Sequence, residues 1–81
     1  MRVTVRLFAR LRELAGSGEL MREVPADATV GVVWAGLVGD CPELAPYERS
    51  ISCAVNADYS RFTAAVSDGD EIAFLPPVSG G

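Results

Sequence analysis

At 81 residues, about half of them apolar, the chain has room for one domain and one core, and not for a deep private active site as well. Its formal charge of −4, from seven Arg and eleven acids with no Lys and no basic run, argues against nucleic acid and anionic membranes as partners and in favour of other proteins. With no His, the commonest general base and metal ligand is missing, so neither a metal site nor self-contained acid–base catalysis is expected.

Residues 3–8 alternate, with Val3, Val5 and Leu7 on one face and Thr4, Arg6 and Phe8 on the other, which predicts a half-buried strand. Residues 9–15 switch to helical spacing, with Leu11, Leu14 and Ala15 inward, and Gly16-Ser17-Gly18 ends that turn. Residues 19–24 predict a second strand, paired with the first. Thr29 is a candidate N-cap for a longer helix whose Val30, Val33, Trp34, Leu37 and Val38 form one wide apolar face. Gly31, Gly36 and Gly39 weaken that helix by about 1 kcal/mol each if they lie inside it. Trp34 is expected to fill the core.

Two prolines make residues 40–46 irregular, with at most a helical turn near Glu43-Leu44. Ile51, Cys53 and Val55 alternate as a third strand, Asn56-Ala57-Asp58 is turn chemistry, and residues 59–62 predict a short edge strand. Asp68-Gly69-Asp70 is a second turn, and residues 71–75 form a last strand with Ile72 and Phe74 on one face. Pro76-Pro77 then stops ladder donation. The order predicts an α+β domain, a sheet with one main helix on one face, over residues 1–76, followed by an extended tail over 77–81. Cys41 and Cys53, unpaired in sequence, are expected as small buried apolar groups in a reducing cytosol. No apolar stretch approaches a membrane span and the start alternates like a strand, so a soluble, cytoplasmic protein is expected.

The chemistry concentrates in the last residues, Pro76-Pro77-Val78-Ser79-Gly80-Gly81. A terminal Gly pair arises by chance in roughly 0.5% of chains, taking Gly at about 7% of residues. The prolines direct the chain off the sheet as a stiff stem, and five residues from Pro77 onward reach about 16 Å at ~3.3 Å each. Glycines without Cβ let another protein's backbone close around the stem and leave the terminal carboxyl open to attack. A carboxylate is a poor electrophile and needs activation, for example as an acyl adenylate. The chain has no phosphate-binding loop, so a separate ATP-using enzyme must supply that step. The activated carboxyl then accepts an amine, giving conjugation, or sulfur, giving a thiocarboxylate.

Residues 68–81, DGDEIAFLPPVSGG, together with LFARLRELAG at residues 7–16 and Ala54-Val55-Asn56, resemble the molybdopterin synthase small subunit, a ubiquitin-like sulfur-carrier family. Leu75 departs from the pattern, because relatives often carry an aromatic residue there. The resemblance implies a β-grasp fold, a mixed sheet of four to five strands with one main helix and a flexible Gly-Gly tail. It implies adenylation of Gly81 by an enzyme resembling ubiquitin-activating enzymes, which uses ATP, and then installation of sulfur as a C-terminal thiocarboxylate, with no cofactor bound here. The tail residues Val78, Ser79 and Gly80 would enter the large synthase subunit, where sulfur passes to a pterin precursor within a heterotetramer. The chain is then a sulfur-donating subunit without activity alone. By position, partner contact falls to Phe8, Leu75, Pro76 and Pro77, although Phe8 and Leu75 also suit core packing. Two rivals share the fold: a sulfur carrier for thiamine thiazole synthesis, and a protein modifier conjugated to target lysines. A plain binding module with an idle tail is a third.

Overall fold

In the computed structural model, residues 1–77 are described, and five strands, two α-helices and a 3-10 helix follow one another in the predicted order. They are β1 (Arg2–Leu7), α1 (Ala9–Ala15), β2 (Glu19–Glu23), α2 (Val30–Asp40), the 3-10 helix (Pro42–Tyr47), β3 (Ser52–Val55), β4 (Asp58–Ser60) and β5 (Glu71–Leu75). The strands form one mixed sheet in the order β2-β1-β5-β3-β4. β1 pairs antiparallel with β2 and parallel with β5, so the chain's last strand lies beside its first. Leu7 sits opposite Phe74 in that register, which brings the end of β1 and the exit of the tail to the same edge of the domain. This is the β-grasp arrangement, with α2 packed on one face.

The alternation in β1 buries Val3, Val5 and Leu7, and that in β5 buries Ile72 and Phe74. From α2, Val30, Val33, Trp34 and Leu37 complete the core as their spacing requires. Trp34 packs at a tilt against Phe74, with ring centroids 5.0 Å apart, and edge-on to Phe62 at 6.4 Å. Its Nε1–H finds no acceptor among the described residues, so the indole is held by packing alone. Thr29 caps α2, its Oγ1 accepting from the Val32 N–H at 3.3 Å. Gly31, inside this helix, has a cause: its N–H donates to the Phe62 carbonyl at 2.8 Å, and a Cβ would come to 3.3 Å from that oxygen.

The structure departs from the sequence reading at three places. Phe8 does not extend β1 but forms the N-cap of α1. The edge strand is Asp58–Ser60, not 59–62, and Phe62 turns inward against Trp34. The segment expected to be irregular is a 3-10 helix over Pro42–Tyr47; Pro42 suits its first position, which needs no N–H partner, and Pro46 lies inside it. Both cysteines are free; Cys53 is buried, its thiol donating to the Ser60 carbonyl at 3.0 Å, and burial pushes its pKa up, while Cys41 is half-buried. No helix among the described residues is long and apolar enough to cross a membrane.

The turn residues before β5 form one network. Asn56 and Ala57 both have positive φ, 49° and 73°, closing β3 to β4 as a two-residue hairpin. The Asn56 amide donates to Asp70 Oδ1 at 2.9 Å and its oxygen accepts from the Glu71 N–H at 2.9 Å, while Asp70 Oδ2 accepts from the Ser67 N–H at 2.7 Å. Asn56 thus fixes the start of the strand that carries the tail. Asn56→Ala loses two hydrogen bonds and a residue that tolerates left-handed backbone, an expected cost of about 2 kcal/mol and a fall in Tm of roughly 10 °C. Thermal unfolding followed by circular dichroism checks this; an unchanged Tm would mean the network is not holding the strand.

Candidate functional site: the groove at the root of the tail

β5 leaves the sheet at Leu75, and the chain continues through Pro76 and Pro77 to the edge of the described residues. Val78, Ser79, Gly80 and Gly81, which carry the expected chemistry, lie outside those residues. At this exit an open groove of about 560 Å³ is lined by Phe8, Ala9, Arg10, Tyr47, Leu75, Pro76 and Pro77. The four residues expected from sequence to meet a partner, Phe8, Leu75, Pro76 and Pro77, are therefore brought together on one surface.

Each of the four arrives there for a local reason. Leu75 is half-buried where its neighbours Ile72 and Phe74 are fully buried, because it lies on the other face of the strand alternation. The prolines cannot donate to a ladder and so turn the chain out of the sheet. Phe8 is 39% exposed, so its ring is not a core filler. The Arg6 guanidinium stands over that ring, 5.9 Å from its centroid.

Sequence reasoning missed Ala9, Arg10 and Tyr47. Ala9 adopts φ 50°, a left-handed conformation that costs a residue with a Cβ roughly 1–2 kcal/mol. That kink starts α1 immediately after the extended Phe8. Tyr47 comes from the C-terminal end of the 3-10 helix, and nothing in its sequence neighbourhood connects it to residue 8. Arg10 Nη1 donates to Glu13 Oε2 at 3.0 Å. Hydrogen bonding to Glu13 and then Tyr47 holds the Arg10 pKa above its ordinary value, so the guanidinium is charged at every working pH. The arrangement offers an apolar receiving surface with Arg10 in its wall and Arg6 over the outer ring of Phe8.

A family model, the ThiS family, matches residues 5–81. The molybdopterin synthase sulfur carrier subunit of Arabidopsis thaliana is 37% identical over 79 residues, 98% of this chain and 82% of that one. Small archaeal modifier protein 1 of Haloferax volcanii is 39% identical over 85 residues, 94% of this chain and 97% of that one. A crystal structure of the Haloferax protein superposes with a TM-score of 0.87 at 36% identity over 100% of both chains. The crystal structure of the BexX/CysO complex from Amycolatopsis orientalis contains a chain that matches with a TM-score of 0.74 at 29% identity, covering 98% of this chain and 99% of that one.

Proposed function

Because the chain belongs to the ThiS family of ubiquitin-like sulfur carriers, we propose that it is the sulfur-donating subunit of a molybdopterin synthase. Gly81 is its reactive residue. Its carboxylate attacks the α-phosphorus of ATP on a separate, ubiquitin-activating-like adenylyltransferase, releasing pyrophosphate. A sulfur nucleophile then displaces AMP and leaves a thiocarboxylate. In the large subunit the terminal sulfur attacks a carbon of the pterin precursor and displaces an oxygen substituent of that carbon, which leaves as water or phosphate; water then cleaves the acyl–sulfur bond, leaving the sulfur on the pterin and restoring the Gly81 carboxylate. One carrier delivers one sulfur, so a dithiolene takes two deliveries, in keeping with an assembly of two small and two large subunits. Binding of the tail makes the sulfur a tethered nucleophile, which supplies proximity without any catalytic side chain here.

The observation that carries this reading is the groove itself, an apolar surface at the point where Pro76 and Pro77 launch the tail. A partner that swallows the tail must also cover its root, and Phe8, Leu75, Pro76 and Pro77 are the docking residues. A second reading, a modifier conjugated to target lysines, is favoured by the 39% identity to a small archaeal modifier protein. The test is to incubate the thiocarboxylated chain with the large subunit and the pterin precursor. Loss of sulfur from the chain, with dithiolene formed, is expected. An intact thiocarboxylate would sink the pterin assignment and leave the thiazole pathway or conjugation.

A further inference from the structure

The groove is apolar on every side except one. Phe8, Ala9, Leu75, Pro76 and Pro77 line it, and Arg10 with Tyr47 makes the remaining wall. In a regular helix, residues two apart face different directions. Here the left-handed Ala9 between them lets Phe8 and Arg10 line the same groove. Strained backbone of this kind persists where the surroundings hold it, and often at binding sites.

Glu13 takes only one of the five N–H donors of Arg10. The side chain is 58% exposed, so its pairing with Glu13 is a weak surface contact that a better-placed acceptor would displace or share. A partner seated on the apolar wall excludes water from this rim, and a carboxylate brought there meets a fork-shaped donor suited to two-point binding. On a chain of net charge −4, long-range attraction favours a basic partner surface, so a single cation in the groove serves register more than encounter.

We propose that Arg10 is a specificity residue of the tail-root interface, receiving an Asp or Glu carboxylate of the large subunit beside the apolar side chain that fills the groove. The inference rests on the docking role proposed above for that groove, and adds to it the chemical identity of what the partner must present. Tyr47 lines the same groove beside Arg10.

The test is calorimetric titration of the full-length chain against the large subunit at two salt concentrations, with variants at three positions. Arg10→Ala is expected to weaken binding about tenfold and to flatten its salt dependence, Arg10→Glu to weaken it about a hundredfold, and Arg10→Lys to fall between wild type and Ala for want of the fork. Glu13→Ala leaves the guanidinium free and is expected to bind at least as tightly as wild type. Wild-type affinity in Arg10→Glu, with Phe8→Arg still weakened, would overturn the role of Arg10 and leave the groove standing. Equal weakening in Glu13→Ala would overturn it too, because the effect would then come from the loss of an intrahelical pair. Wild-type affinity in Phe8→Arg would overturn the groove reading beneath it.

Discussion

Deleting Gly81, or adding one residue after it, is expected to abolish sulfur transfer while the thermal transition stays where it is in the wild-type chain. The reactive group in this account is the terminal carboxyl, and both changes move it along the tail by one residue, about 3.3–3.6 Å. Reacting atoms must approach to about 3–3.5 Å, and a misplacement of about 1 Å already costs on the order of a hundredfold in rate. A shift of one residue therefore exceeds the tolerance of any enzyme site aligned on Gly81. The fold does not depend on this residue, because the core is built from Val3 to Phe74 and β5 ends at Leu75. Sulfur transfer is checked with the reconstituted synthase, and the fold by thermal unfolding. Normal transfer by the truncated chain would mean that the sulfur is carried elsewhere.

Phe8→Arg is expected to weaken binding of the large subunit by about a hundredfold, again without unfolding the domain. An aromatic ring at the centre of a water-excluding surface carries about 2 kcal/mol or more of an interface's affinity. The substitution removes the ring and the contact it makes with Arg6, and sets a third guanidinium beside Arg6 and Arg10. Stability should survive, because Phe8 caps α1 through its backbone and makes no side-chain cap hydrogen bond. Calorimetry reads the affinity and circular dichroism the fold. Unchanged affinity would remove Phe8 from the interface.

Much of this architecture could be read before any coordinates, for identifiable reasons. Strict alternation in β1 and β5 and the 3.6-residue stripe of α2 are local patterns, and they buried the residues they named except Val38, which is half-buried at the end of the stripe. The turn at Asp68-Gly69-Asp70 was legible because Gly69 takes φ 84°, which few other residues do comfortably. The order β2-β1-β5-β3-β4 was not legible, since pairing of first and last strands leaves no local mark. Phe62 misled because its apolar character suits an edge strand and a core aromatic equally, and the Trp34–Phe74 cluster decided between them.

The site divides in the same way. Phe8, Leu75, Pro76 and Pro77 could be placed because they flank the tail's exit in sequence or in strand register. Ala9 could not, because an alanine gives no sign that its backbone will turn left-handed. Nor could the meeting of Arg10 and Tyr47 at one groove, which depends on the packing of the 3-10 helix beside α1. The tail residues 78–81, on which the proposed chemistry depends, lie outside the described residues, and their reading stands on the sequence.

The most direct measurement is the intact mass of the chain after incubation with its activating enzyme, ATP and a sulfur source, followed by fragmentation to locate the change. A gain equal to replacement of one oxygen by sulfur, on Gly81, is the predicted result. An unchanged mass for the free chain, with its C-terminus instead found joined to lysines of other proteins, would contradict the carrier account and make it a modifier.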